Sequence, residues 1–207
     1  LNMLDLGGIP VRARDRSDHH PLVIAGGSGA FNPEPLSPFI DAFVLGEGED
    51  AVVELAERVA EWKRSRTPRA TRLRELLAMP GVYVPSMYEA RYDAAGHLAG
   101  LEPLVPEAPK AIRRRIVENL PPPLLKPIVP FLQTVHDRAA VEIQRGCTQG
   151  CRFCQAGMIY RPTRERTPAE VVEATRQLLQ NTGYDELSLL SLSTTDHSQI
   201  VPMIDAL

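Results

Sequence analysis

The chain has 207 residues and a formal net charge of −3, so it lacks the overall positive field that draws proteins to nucleic acid. Its composition is globular, with 43% hydrophobic and 24% charged residues, and no apolar run approaches the ~20 residues of a membrane helix. No signal-peptide pattern is visible at the start, and all three cysteines lie in one short window. These features argue against a membrane-spanning or disulfide-bonded secreted protein, and we expect reduced thiols and a cytoplasmic location.

The first part of the chain predicts parallel α/β structure. Residues 22–25 form an apolar run that ends in Gly26-Gly27, and residues 41–45 form a second run that residues 46–49 close. A helix should follow, and the residues predicted on its inner face are Val52, Leu55, Ala56, Val59 and Trp62. Because a doubly wound domain needs about five strands, we expect residues 1–66 to form the C-terminal part of a Rossmann-like α/β domain.

Residues 67–138 predict a connector that contains short strands. Strand-like pieces lie at residues 87–92 and 97–101, with turn-forming residues between them, so we expect a β-hairpin. Prolines are frequent between residues 103 and 130, which argues against regular helix there. The run Arg113-Arg114-Arg115 predicts a solvated basic strand, with a contact to nucleic acid as the alternative.

Residues 139–207 predict a strand, a loop, a helix and a second strand. The loop that carries the cysteines follows the first strand directly. A helix should begin at Pro168, with Thr167 as its cap and a capping box completed by Glu170, and Gly183 should end it. The second strand should cover residues 187–192. In parallel α/β folds the active site lies at the carboxyl ends of the strands, so the cysteines lie where a site is expected.

The cysteines Cys147, Cys151 and Cys154 have the spacing C-x3-C-x2-C. A 4Fe–4S cluster takes one ligand for each iron, so three thiolates leave one iron open for chemistry. The glycines Gly146 and Gly150 should allow the backbone to curl around such a cluster. The spacing therefore favours an iron–sulfur site with one vacant position.

Two other interpretations of the cysteines stay open. A structural zinc site would need a fourth ligand, which His136 or His197 could supply. Alternatively, the thiols could be unliganded, although three thiols beside basic residues are unusual as packing residues.

Five arginines surround the cysteine motif. Some of them could bind carboxylate or phosphate groups of a cofactor or substrate. Structural pairing with Glu142 and Glu165 is the alternative. The arginines are Arg145, Arg152, Arg161, Arg164 and Arg166.

The cysteine motif, with an aromatic residue before its last cysteine and a β-α-β setting, resembles the signature of the radical S-adenosylmethionine superfamily. The stretch from Gly146 to Arg166 resembles a bacterial branch of uncharacterised radical enzymes that carry a cobalamin-binding-like domain ahead of a TIM-type barrel. Residues 25–27, 32–35 and 46–49 resemble the end of that domain. The resemblance thus implies that residues 1–66 are the C-terminal part of a cobalamin-binding-like domain, and that residues 139–207 begin the barrel.

The resemblance also implies roles for single residues. The three cysteines would ligate three irons, and the open iron would chelate S-adenosylmethionine. Phe153 would lie near the adenine, and Ser193, Thr194 and Thr195 occupy the place of a glycine-rich turn that holds the methionine amino group. An electron donor of the flavodoxin or ferredoxin type is expected as a partner, and the radical produced would modify an unknown substrate.

Cobalamin is a possible further cofactor. The closest string to its base-off ligand motif, Asp18-His19-His20, lacks the required glycine, so the true ligand loop would lie upstream of the chain. Gly26-Gly27 would fit beneath a nucleotide tail in that fold, although a tight turn explains the pair equally well.

We therefore expect a radical enzyme, and two alternatives stay open. One is a cobalamin- or nucleotide-binding module with a structural or electron-transfer metal site, and the other is an RNA-modifying enzyme of the tRNA methylthiotransferase type. The chain begins at Leu1 without an initiator methionine and stops at Leu207 in a predicted helix, so we expect a fragment that is inactive alone.

Overall fold

A computed structural model describes residues 1–207, which divide into two units, Leu1–Ile116 and Val117–Leu207. Both units are mixed α/β structures with small sheets. None of the helices combines the length and the apolar character that a membrane crossing requires. Residues 67–116 thus fold within the first unit, and residues 117–138 fold within the second.

The first unit is built on a three-stranded sheet. Its strands are β1 (Ile24–Ala25), β2 (Ala42–Val44) and β3 (Val82–Tyr83). The pair β1–β2 is parallel, as the sequence predicts, whereas β3 joins the other edge of β2 in the antiparallel direction. The helices are α1 (Asn2–Leu6), α2 (Glu49–Ser65) and α3 (Arg69–Leu76).

The helix α2 confirms the predicted element but not the whole predicted face. Leu55 and Val59 pack against the core and Trp62 is buried in it, but Val52 is 63% exposed. The buried residue in the first turn is Ala51, which lies on the same face as Leu55 and Trp62. The prediction of Val52 and Ala56 on the inner face was therefore wrong, since both are exposed.

The helix α3 was missed because it is rich in arginine and has few apolar residues. Its buried Leu76, with Leu77 and Met79 beyond its end, packs with Trp62 in one cluster. Part of the predicted connector is therefore core structure of the first unit.

A buried ion pair network fixes the start of β2. Asp41 accepts a hydrogen bond from Arg16 at 2.9 Å and forms an ion pair with Arg69 at 2.6 Å. The remaining donors of Arg16 bind the carbonyls of Pro10, Val11 and Phe39. The two guanidinium groups thus hold the preceding segment and α3 to one carboxylate.

The backbones of Gly46 and Arg115 lie against each other and form an isolated β-bridge. Gly46 has a φ of 104°, and a Cβ atom there would overlap the backbone of Arg115. The side chain of Arg115 binds Glu54 of α2, and its amide donates to the carbonyl of Leu45. Arg115 is therefore a structural residue, and only glycine fits opposite it.

The predicted hairpin is present. Strands β4 (Tyr88–Tyr92) and β5 (Leu98–Pro103) pair in the antiparallel direction. Asp93 closes the turn because its carboxylate accepts hydrogen bonds from the amides of Ala95 and His97.

The second unit contains the predicted β-α-β element. Strand β6 (Ala139–Glu142) pairs in parallel with β9 (Leu187–Leu190), and α5 (Pro168–Thr182) connects them. The capping box of Thr167 and Glu170 is formed, and Gly183 ends the helix with a φ of 76°. Three short elements lie in the chain between β6 and α5, namely β7 (Gln144–Arg145), α4 (Ala156–Ile159) and β8 (Arg164–Glu165). The helix α6 (Ile200–Ala206) follows β9.

The core of this unit lies between the parallel strands and the helices. Its buried members are Ala139, Val141, Ile143, Val171, Ala174, Leu178 and Met203. The proline-rich segment contributes backbone carbonyls that side chains of this unit bind, such as Pro121 with Arg166 and Leu125 with Asn181.

Candidate iron–sulfur and S-adenosylmethionine site

The cysteine loop leaves the sheet through a glycine. Gly146 follows β7 with a φ of 87°, and a Cβ atom there would lie 2.7 Å from the carbonyl oxygens of Tyr160 and Pro162. The prediction that glycine lets the backbone turn is confirmed at this position. Gly150 differs, because nothing lies within 4 Å of the position of its missing Cβ atom.

The three thiols lie in different environments and form no disulfide. Cys147 is buried, Cys154 is partly buried and Cys151 is exposed. The amide of Gln149 donates to the sulfur of Cys147, and the amide of Gly157 donates to the sulfur of Cys154, each at 3.4 Å. These two amide donors orient the sulfurs of Cys147 and Cys154 within the loop.

The candidate donor set is three thiols on one loop. No group of three His, Cys, Asp or Glu side chains is placed to hold one metal ion. A single zinc ion would require its sulfur ligands within about 2.3 Å of one point, whereas a cluster takes one thiolate for each iron. Three thiolates on one loop could ligate three irons of a 4Fe–4S cluster and leave the fourth iron without a protein ligand.

The two histidines considered as a fourth zinc ligand lie in different environments. His197 is buried, its Nε2 faces the carbonyl of Arg166 at 3.1 Å, and its Nδ1 accepts from the amide of Gln199. Both ring nitrogens are therefore engaged in structural hydrogen bonds. His136 is exposed.

The end of β9 approaches the cysteine loop through a side-chain hydrogen bond. Gln149 donates from its amide nitrogen to Asp196 at 2.8 Å, and Ser193 donates to the same carboxylate oxygen at 2.7 Å. These two bonds lower the pKa of Asp196, with Ser193 the larger cause. The sequence indicated neither Gln149 nor Asp196, since the residues are distant in the chain and no local pattern links them.

The residues predicted to bind S-adenosylmethionine are distributed around this edge. Ser193, Thr194 and Thr195 lie at the short turn after β9, where Thr194 shares a hydrogen bond with Ser191. Phe153 is 92% exposed and projects from the loop between two cysteines. The carboxyl end of β9 and the cysteine loop are thus adjacent through the bond between Gln149 and Asp196.

Four of the five arginines have structural contacts. Arg145 forms an ion pair with Glu142 at 2.8 Å, as the pairing interpretation predicts. Arg166 donates to the carbonyls of Glu142 and Pro121, and its burial lowers its pKa. Glu165, the other predicted partner of the arginines, binds Ser198. Its carboxylate accepts hydrogen bonds from the amide and the hydroxyl of Ser198.

Arg161 and Arg164 bind backbone carbonyls, and Arg152 differs from the other four arginines. Arg161 donates to the carbonyls of Gly157 at 2.9 Å and Gln149 at 3.2 Å, and Arg164 donates to the carbonyl of Val117. Arg152 is exposed beside Cys151, and no ion pair or hydrogen bond of its side chain is observed.

The candidate cobalamin residues of the first unit make contacts within that unit. Asp18 accepts a hydrogen bond from the amide of Arg69, and Nδ1 of His20 accepts from the amide of Ser17 at 2.9 Å. Gly27 has a φ of 86° immediately after β1, which is where the sequence predicts a tight turn.

Comparison with known families matches both ends of the chain. Residues 1–85 match the model described as radical SAM proteins, N-terminal, where SAM is S-adenosylmethionine. Residues 141–207 match the model of the radical SAM superfamily, and this segment contains all three cysteines. A search among curated proteins gives no match. The radical SAM match implies radical chemistry with a 4Fe–4S cluster and S-adenosylmethionine, and neither match identifies a cobalamin-binding branch. The chain belongs to the radical SAM superfamily of enzymes.

Proposed function

We propose that Cys147, Cys151 and Cys154 hold a 4Fe–4S cluster whose fourth iron binds S-adenosylmethionine. The observation that carries this proposal is the pair of amide-to-sulfur hydrogen bonds on a loop at the carboxyl end of two parallel strands. When both are bound, the cluster and S-adenosylmethionine supply a 5′-deoxyadenosyl radical that removes hydrogen from a substrate.

The protein residues bind and orient these groups. The amides of Gln149 and Gly157 stabilise two of the thiolates. The hydroxyl groups of residues 193–195 offer donors and acceptors to the methionine moiety, and Phe153 offers an aromatic face to the adenine. We also propose that β6, α5 and β9 are the first β-α-β unit of a TIM-type barrel.

Anaerobic reconstitution with iron and sulfide tests the cluster. The wild-type chain should take up about four irons and turn brown, and Cys151→Ala should lose most of the absorbance. Thr148→Ala is the matched control, because Thr148 is exposed in the same loop and is not a proposed iron ligand. Tight binding of one zinc ion without uptake of iron would contradict the proposal.

Binding of S-adenosylmethionine separates this function from an electron-transfer or structural cluster. Equilibrium dialysis of the reconstituted chain should show one bound S-adenosylmethionine, and a cluster with four protein ligands should show none. The Ser193→Ala and Thr195→Ala variants should weaken binding if the turn after β9 holds the methionine moiety. Unchanged affinity for S-adenosylmethionine in both variants would show that this turn does not bind the methionine moiety.

Within the superfamily we propose membership of the branch with a cobalamin-binding-like domain. What supports it is the glycine turn after β1, beside the parallel strand β2. Titration with hydroxocobalamin, followed by its visible spectrum, tests whether the first unit binds the cofactor. A spectrum that stays that of free cobalamin at saturating protein would contradict binding.

We propose that the electron donor is an acidic protein of the flavodoxin or ferredoxin type in the cytoplasm. The unpaired guanidinium of Arg152 lies exposed beside the exposed ligand Cys151, where it is able to attract such a donor. Arg152→Glu should slow reduction of the cluster by flavodoxin and leave reduction by dithionite unchanged. Equal slowing by both reductants would contradict a docking role.

A further inference from the structure

The side chain of Gln149 ties the cysteine loop to the end of β9. Gln149 lies between the first two cysteines, and its amide nitrogen donates to Asp196 at 2.8 Å. Asp196 is itself held by the hydroxyl of Ser193 at 2.7 Å. The loop is thereby connected to a turn that follows a strand of the core sheet.

The backbone of the same loop is held by Arg161. Its Nη2 donates to the carbonyl of Gln149 at 3.2 Å, and its Nε donates to the carbonyl of Gly157 at 2.9 Å. Gly157 is the residue whose amide binds the sulfur of Cys154. One guanidinium group therefore joins the two segments that flank Cys151.

The loop has little regular hydrogen bonding of its own. Inside it, the amide of Cys154 donates to the carbonyl of Cys151 at 3.1 Å, which closes a single turn. An exposed loop of this kind loses conformational entropy when a cluster fixes it. Contacts that hold the loop beforehand reduce that loss and strengthen binding.

We propose that Gln149, Asp196 and Arg161 are positioning residues that keep the cysteine loop ready to bind its cluster. This inference rests on the proposed function and goes beyond it, since none of the three residues ligates iron. Gln149 is held twice, through its side chain by Asp196 and through its carbonyl by Arg161. The three residues act together because they meet at Gln149.

Removal of iron by a chelator tests the inference in the reconstituted chain. Gln149→Ala and Asp196→Ala should each lose iron about three- to tenfold faster, which corresponds to one lost hydrogen bond. The double variant should be no faster than either single variant, because both remove the same bond. Asp185→Ala is the control, since Asp185 is another exposed aspartate of this unit that lies outside the network.

Two further measurements distinguish positioning from a general loss of stability. The exchanged pair Gln149→Glu with Asp196→Asn restores a hydrogen bond of reversed direction and should return the wild-type rate. In the chain without cluster, alkylation of the buried Cys147 should be faster in Asp196→Ala and Arg161→Gln than in Asp185→Ala.

The outcomes separate this inference from the proposed function. If the wild-type chain takes up no iron, the proposed function fails, whereas alkylation of Cys147 still tests the loop. If the wild-type chain binds the cluster but Asp196→Ala behaves as Asp185→Ala in both measurements, the positioning role is wrong and the cluster assignment stands.

Discussion

The two glycines of the cysteine loop have different roles at the scale of single residues. Gly146 has a positive φ and lies against two carbonyl oxygens, whereas Gly150 has open space around it. From the sequence alone, both glycines are predicted to allow the backbone to curl. The structure shows that only the first is required for the path of the backbone.

This difference predicts the effect of alanine at each position. Gly146→Ala forces a Cβ atom against the carbonyls of Tyr160 and Pro162 and strains a left-handed conformation, so the variant should lose most of its iron on reconstitution. Gly150→Ala should keep its iron. Iron content per chain measures both, and equal iron content in the two variants would falsify the structural role of Gly146.

Long-range side-chain contacts were the least predictable part of the site. The three candidate cysteine ligands could be named from their spacing, because such a motif is local in the chain. The bond between Gln149 and Asp196 depends on how two strands meet, and no pattern in the sequence encodes it. The structural contacts of Arg161 are of the same kind, since they bind backbone carbonyls that any residue offers.

At the scale of elements, α5 was predicted to its first residue because its signals are local. Thr167 caps the helix, Pro168 suits the first turn and Gly183 ends it, and the structure shows all three features. The short α3 was missed because its sequence has no such signals. Tertiary packing of its buried residue Leu76 holds this helix in place. Local chemistry thus fixes one helix, and burial fixes the other.

The capping box predicts a measurable loss of stability. Thr167→Ala removes the hydroxyl that accepts from the amide of Glu170, so it should lower the free energy of unfolding by about 1 kcal/mol at neutral pH. Thr195→Ala, on an exposed turn, should change it much less. Urea denaturation followed by circular dichroism compares the two variants.

The same box gives a dependence on pH. Hydrogen bonds from the backbone and then the side chain of Thr167 lower the pKa of Glu170 in the folded chain. A lowered pKa stabilises the fold above the unfolded pKa of about 4.3, and this contribution is lost as the pH falls through the folded pKa. The difference in stability between wild type and Glu170→Gln should therefore shrink from pH 7 to acidic pH. A difference that stays constant over this range would contradict the assignment.

The ion pair network before β2 predicts a larger effect. Asp41→Ala leaves Arg16 and Arg69 buried without their carboxylate, which should cost about 3–5 kcal/mol of stability. Asp15→Ala is the matched control, because Asp15 pairs with Arg14 at 3.7 Å on the surface. Chemical denaturation should show a loss below about 0.5 kcal/mol for the control.

At the scale of the whole molecule, each unit has its own hydrophobic core. The first core includes the single tryptophan of the chain, Trp62, and the second surrounds Val141 and Val171. The sequence predicted α/β character at both ends, and the matched family models cover those two parts. It did not predict that β3 would pair with β2, because pairing of distant strands is not a local property.

The position of Trp62 makes it a reporter of the first core. Leu76→Ala should leave a cavity beside it and lower the stability measured by tryptophan fluorescence in urea by about 2–5 kcal/mol. Leu98→Ala, at a half-exposed position of the hairpin, should lower it by less than about 1 kcal/mol. If the two variants unfold at the same urea concentration, Leu76 does not pack as described.

The unequal exposure of the three thiols predicts which of them is oxidised first in air. Cys151 faces solvent, whereas Cys147 is buried, so Cys151 is the thiol that peroxide and dissolved oxygen reach first in the chain without a cluster. Oxidation of an exposed thiol gives a sulfenic acid, which a second thiol converts into a disulfide that cellular thiols reverse. The free chain is therefore expected to be most sensitive to air at Cys151, and anaerobic handling protects this position first.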